Sequence, residues 1–163
     1  NYIDRETPTL HRMGVRLRHL GDIKGLSKSL QKKVRAAMDL TRQNIAITVN
    51  VALNYGGRQD LLEAIRSILA SGLPAEQVDE RVIANHLGTN GIPEPDLVIR
   101  TSGEKRLSNF LIWETAYSEL FFTTAMWPDF TPATLDEALD AYAQRKRRFG
   151  LTESASDSAA AGR

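Results

Sequence analysis

Residues 45–57, Ile45-Ala46-Ile47-Thr48-Val49-Asn50-Val51-Ala52-Leu53-Asn54-Tyr55-Gly56-Gly57, decide the fold class. Residues 45–53 are apolar and β-branched almost without a break, which is the composition of a strand buried on both faces of a parallel sheet. Asn54 to Gly57 interrupt the run. Leu61, Leu62, Ile65, Ile68 and Leu69 then recur on one helical face, and Gly72 supplies the stop. A buried strand that turns directly into an amphipathic helix is the repeating unit of α/β architecture.

The same alternation continues outward. Upstream, Val15-Arg16-Leu17-Arg18-His19-Leu20 follows Gly14 with period two, predicting a half-exposed strand near a sheet edge. Leu30, Val34, Ala37, Met38 and Thr41 predict a helix capped by Ser27 or Ser29. Downstream, a helix is expected near Asp79–Leu87 and a short buried strand at Asp96–Arg100. A further helix is expected over Asn109–Tyr117, then a strand at Ser118–Phe122. Thr131-Pro132 caps a last helix, expected to run through Phe149. The prediction is a mostly parallel sheet flanked by helices. Such sheets bind ligands at the carboxyl ends of their strands, which points to the Tyr55-Gly56-Gly57-Arg58 turn and to the turn beginning at Arg100. Residues 1–150 read as one domain and 151–163, small and polar, as a disordered tail.

Composition narrows the function classes. The chain has 163 residues, of which 42% are hydrophobic and 25% charged, as in an ordinary soluble domain. It has no cysteine, which excludes a disulfide scaffold, a thiolate metal site and a cysteine nucleophile. Lys+Arg number 21 and Asp+Glu 20, so bulk charge gives no reason to expect nucleic acid. The balance is uneven along the chain, with ten basic against four acidic residues in 1–42 and three against seven in 43–99. The basic start, including Arg16, Arg18, Lys28, Lys32 and Arg35, reads as a solvated face or as a binding patch. Neither a long apolar span nor a basic leader is present, which gives a cytoplasmic expectation. His11, His19 and His86 lack metal-ligand spacing, and the Walker, dinucleotide and nucleophile-elbow glycine patterns are absent. The first residue is Asn1, from which we expect a piece of a longer chain, incomplete at its start.

Three clusters could carry chemistry. In Asp96-Leu-Val-Ile-Arg100-Thr-Ser-Gly-Glu104-Lys-Arg106-Leu107-Ser108, a strand delivers one arginine, and a second arginine and a serine are expected at the start of the next helix. Guanidiniums, a hydroxyl and free backbone N–H groups would cradle a phosphate or diphosphate. The alternative is a strand-capping arginine paired with Asp96 or Glu104. Glu119 stands between an aromatic run and an apolar strand, as a hard oxygen donor for Mg²⁺ or as the partner of Arg100 or Arg106. Arg145-Lys146-Arg147-Arg148-Phe149-Gly150 either complements a helix dipole or reaches an anionic ligand. Trp113, Tyr117, Phe121, Phe122 and Trp127 read as core.

The run from Asp96 to Thr123, with Trp127-Pro128-Asp129-Phe130, Asn54-Tyr-Gly-Gly-Arg58 and Val15-Arg-Leu-Arg-His-Leu-Gly-Asp22, resembles the cis-prenyltransferases, the undecaprenyl or polyprenyl diphosphate synthases. The resemblance implies cis-prenyl chain elongation, in which isopentenyl diphosphate condenses with an allylic prenyl diphosphate. It implies that Arg100, Arg106, Leu107 and Ser108 hold the isopentenyl diphosphate. Glu119 would give a Mg²⁺ ligand across a homodimer interface, and Arg148 and Gly150 would assist the neighbour's diphosphate. Lys105 stands where many relatives carry histidine or glutamine, which puts a proton-accepting role there in doubt. The family's Asp-Gly-Asn-Gly-Arg-Trp-type and Ser-x-Glu-Asn-Trp-type motifs do not occur here, so the expectation is the carboxyl-terminal part of one prenyltransferase domain, inactive alone. The other readings are a non-catalytic partner subunit and a diphosphate-binding module. The lipid product would allow transient association with a membrane face.

Overall fold

A computed structural model describes residues 2–145, which fall into two compact units, residues 2–92 and 93–145. The first unit contains α1 (Tyr2–Arg12), β1 (Val15–Leu20), α2 (Lys28–Thr41), β2 (Ile47–Ala52), α3 (Gly57–Ser71) and α4 (Glu80–His86). β1 and β2 pair in parallel, from Val15 opposite Ile47 to Leu20 opposite Ala52. The crossover between them is α2, and α1 and α2 both pack on β1. Ser27 caps α2 by accepting from the Leu30 N–H, and Asp79 caps α4 by accepting from Val82. Gly72 closes α3 in the left-handed conformation. The core gathers Val15, Leu20, Val34, Ala37, Ala64, Ile68 and Leu87. Thr41, fully buried, ties α2 to β1: its hydroxyl donates to the Ala37 carbonyl at 2.8 Å and accepts from the Leu17 N–H at 3.0 Å.

Two features of this unit depart from the sequence-based expectation. The helix α1 was not foreseen, because Tyr2–Arg12 is polar and contains Pro8. An ion pair from Asp4 to Lys33 anchors it to α2, and within the helix the Thr7 hydroxyl donates to the Ile3 carbonyl. The strand read as buried on both faces is largely exposed. Ile45 is 96% and Ile47 58% accessible, and Val49 and Val51 are exposed as well. In its two-stranded sheet β2 pairs with β1 alone, and α1 and α2 pack on β1. The apolar residues at alternate positions therefore lack, within this unit, the cover their composition suits.

The second unit contains β3 (Leu97–Arg100), β4 (Glu119–Phe122) and α5 (Pro132–Ala143). β3 and β4 are parallel, with Leu97 opposite Glu119 and Arg100 opposite Phe122. α5 packs on β4 and begins at the expected cap, where the Thr131 hydroxyl accepts from Thr134 N–H behind Pro132. It ends at Ala143, short of the expected Phe149, and residues 146–163, including the expected tail, lie outside the described residues. No helix forms over Asn109–Tyr117. Ser108, Asn109 and Leu111 take φ of 50°, 64° and 45°, and the chain continues as a string of turns. A helix cannot propagate through left-handed residues. Tyr117 and Trp127, read as core, are 60% and 74% exposed, Trp127 being stacked on Phe130 instead. Both units show the α/β class, with parallel strands and flanking helices.

Candidate functional site

Register and turn chemistry build the site in the 93–145 unit. Arg100 is the last residue of β3, and its carbonyl accepts from Thr123 N–H at 2.9 Å, just past the end of β4. The chain then reverses through Ser102 and Gly103, both left-handed, with φ of 68° and 70°. Their N–H groups donate to the Ala125 and Thr123 carbonyls at 2.8 and 2.9 Å. These two amides are thus spent on β4's trailing segment and do not face a ligand. With no helix start at Asn109 either, the amide part of the expected cradle is replaced by side chains.

Those side chains converge. Arg100, Arg106 and Leu107 line one cavity of about 240 Å³, whose remaining wall is Val98, Ile99, Phe110 and Phe122. Ser108 joins through its hydroxyl, which accepts from Arg106 Nε at 3.2 Å. Arg106 also pairs with Glu104. The Nε of Arg100 is buried and has no hydrogen-bond partner among the described residues. Buried donors are nearly always satisfied, and leaving one unpaired costs about 1–3 kcal/mol. An oxyanion in the cavity would satisfy it. Two guanidiniums set against two phenylalanines and aliphatic wall suit a ligand that is anionic at one end and apolar at the other.

Of the alternatives left open for Arg100 and Arg106, the pairing with Glu104 is realised at Arg106. This carboxylate competes with any anion for that guanidinium. Glu104→Gln is therefore expected to tighten diphosphate binding about two- to fivefold, the range of an exposed ion pair, in a calorimetric titration. Unchanged or weaker affinity would show that Glu104 is not the competitor.

Glu119 opens β4 and is bound to neither Arg100 nor Arg106. Its Oε2 accepts from Arg145 Nη1 at 2.6 Å, and Arg145 Nη2 donates to the Leu120 carbonyl at 3.2 Å. Sequence reasoning missed this pairing, which joins residues 26 apart. In sequence Arg145 reads only as one of a cationic run near a helix end. Among the described residues no group of three His, Cys, Asp or Glu side chains could hold a metal. Glu119 could offer a Mg²⁺ ion one carboxylate, which Arg145 already engages, so any such ion would depend on other donors as well. Arg148 and Gly150 lie outside the described residues. Phe110 and Phe122 were missed as lining of this cavity; their signal was an aromatic residue on either side of the basic turn.

The second turn singled out from sequence, Tyr55-Gly56-Gly57-Arg58, lies in the other unit and opens α3, with Gly56 at the cap. Asp60, in the first turn of α3, accepts from Gly88 N–H at 2.8 Å and so ties α3 to the loop after α4.

The undecaprenyl diphosphate synthase family model matches residues 1–150. The chain is similar to ditrans,polycis-undecaprenyl-diphosphate synthase ((2E,6E)-farnesyl-diphosphate specific) of Salmonella typhimurium, 44% identical over 161 residues, and to the enzyme of the same name from Escherichia coli, 42% identical over 161. Each match takes in 96% of this chain, which spans only 64% of the relatives' length. Among solved structures it resembles lavandulyl diphosphate synthase from Lavandula x intermedia in complex with dimethylallyl diphosphate. That match has a TM-score of 0.88 at 36% identity, over 91% of this chain and 66% of the other.

Proposed function

The chain belongs to the undecaprenyl diphosphate synthase family of cis-prenyltransferases, and on that premise we propose that its 93–145 unit is the isopentenyl diphosphate half of a prenyl-transfer site. The observation that carries this reading is the cavity in which Arg100 Nε, buried and without a hydrogen-bond partner among the described residues, and the Arg106 guanidinium lie with Phe110 and Phe122. Isopentenyl diphosphate has the matching chemistry: a diphosphate for the arginines and a five-carbon alkene for the apolar wall.

In the proposed reaction the carbon–oxygen bond of an allylic prenyl diphosphate breaks and the isopentenyl double bond attacks the allylic carbon. A proton then leaves, and a cis double bond remains. Arg100, Arg106 and Ser108 hold the isopentenyl diphosphate, and Leu107 closes the cavity beside them, so that the alkene is presented in one orientation. The diphosphate that these arginines hold keeps its carbon–oxygen bond throughout, so their part is positioning. Mg²⁺, when bound, would supply positive charge to the departing diphosphate, and Glu119 would be its carboxylate. Arg148 and Gly150 complete the proposal as aids to a neighbouring subunit's diphosphate in a homodimer. We place residues 1–150 within one prenyltransferase domain and the protein in the cytoplasm, its lipid product drawing it to the membrane face. No helix of the described residues is long and apolar enough to cross a membrane.

The relatives' further length is assigned the allylic half of the site. The 163-residue chain is therefore expected to bind isopentenyl diphosphate in calorimetry, and Arg106→Ala to weaken that binding about tenfold, the worth of one charge-assisted contact. It is expected to give no Mg²⁺-dependent transfer of labelled isopentenyl units to farnesyl diphosphate when alone. Absence of isopentenyl diphosphate binding would overturn the assignment of the cavity. Measurable incorporation would overturn the division of the site.

A further inference from the structure

We propose that the 1–92 unit carries an anion-binding site of its own, built from Arg16, Arg18 and Arg42, whose ligand is a phosphate-class dianion. Arg16 and Arg18 are two apart on β1 and share one face of the strand. Arg42 caps the carboxyl end of α2, the helix that packs on that strand. These three side chains line one cavity of about 500 Å³, together with Asp39, Asn90 and Gly91. Arg18 Nη2 donates to the Asn90 carbonyl at 3.1 Å, which draws the loop after α4 against β1 and forms the far wall.

The charge in this cavity is unbalanced. Asp39 is its only acidic lining residue, and among the described residues no carboxylate lies within ion-pair distance of Arg16, Arg18 or Arg42. Like charges gathered around one hollow repel each other, and an anion in the hollow turns that repulsion into attraction. Three guanidiniums against one carboxylate leave an excess of two positive charges, which a dianion neutralises. Guanidinium forks pair bidentately with phosphate oxygens, and the site has more than one fork to offer. The basic bias of residues 1–42, open in sequence to a solvated face or a binding patch, thus acquires a location. Free phosphate or diphosphate and a lipid phosphate headgroup share this chemistry.

The test uses the 163-residue chain with Arg100→Met and Arg106→Gln in place, so that the 93–145 cavity contributes nothing. Inorganic diphosphate is titrated calorimetrically, and phosphatidylglycerol vesicles are co-sedimented with the same protein. At least one probe is expected to bind. Adding Arg16→Gln and Arg42→Gln is expected to weaken binding about tenfold per arginine, the worth of a charge-assisted contact. Diphosphate binding identifies a free anion as the ligand, and binding to vesicles alone identifies a headgroup. Lys28→Gln with Arg35→Gln removes equal charge from exposed positions that do not line the cavity, and is expected to leave binding within twofold. Failure of both probes overturns the site. So does equal weakening by the two double substitutions, which would reduce the effect to diffuse charge. Calorimetry of isopentenyl diphosphate with Arg16→Gln and Arg42→Gln alone keeps this outcome separate from that of the 93–145 cavity.

Discussion

Gly21→Ala is expected to destabilise the 1–92 unit by about 3 kcal/mol or more and to lower its melting temperature by more than about 10 °C. Gly21 follows β1 with φ of 106°, a region that L side chains rarely adopt. A Cβ there would lie 2.6 Å from the Leu53 carbonyl oxygen and 2.7 Å from that of Asn54. Both obstacles are backbone. Neither can swing aside, because Leu53 N–H donates to Leu20 and Asp22 N–H donates to Asn54, each at 3.1 Å. The Asn54 side chain adds a third tie, donating from Nδ2 to the Asp22 carbonyl at 3.0 Å. The substitution must therefore part the carboxyl ends of β1 and β2, which pair along their whole length. Gly72→Ala is the control. Gly72 also has a positive φ, 72°, but nothing lies within 4 Å of its Cβ position. Its cost is limited to about 1 kcal/mol of backbone strain. Calorimetric melts of the two variants measure the close approach directly, and equal shifts would refute it.

The contrast bears on what a sequence conveys. Thr131 announces its cap, and Ser27 is one of two serines that could supply another, because the capping bond is local, spanning three residues. The alternation of strands and helices was legible for the same reason, and with it the α/β class. Exposure of β2 was not, because the run Ile45–Leu53 encodes what the strand suits, whereas burial depends on which elements lie against it. The turns after Ser108 were hidden too. An apolar run with Leu111 in it favours a helix by propensity, and nothing local marks that leucine as left-handed. In the candidate site, Arg100, Arg106 and Ser108 were legible because one strand and one turn bring them together within nine residues of sequence. The partner of Glu119 was not, since a side chain on α5's trailing turn could reach several acids equally well on sequence alone.

Arg100→Met is expected to cut diphosphate affinity at least about a hundredfold while leaving the melting temperature unchanged or slightly raised. The two readouts move apart because of what Arg100 does without ligand. Its Nε is buried and unpartnered among the described residues, and no ion pair joins it to a carboxylate there. Removing such a group relieves a desolvation cost, and methionine keeps an unbranched apolar stem to fill the space beside Val98 and Phe122. A guanidinium held at the end of a strand is different when an oxyanion is present. Two charge-assisted bonds in a partly desolvated cavity contribute about 3 kcal/mol, and the Arg106 fork, being 66% exposed, cannot replace them. Arg100→Lys separates charge from shape: it keeps the cation, loses the fork, and is expected to fall between the two. A residue that only capped β3 would give the opposite pattern, with stability falling and affinity following it. Calorimetry with isopentenyl diphosphate beside a thermal melt of the same sample decides between them. Affinity within threefold of the parent, or a melting temperature lowered by several degrees, would remove Arg100 from the site.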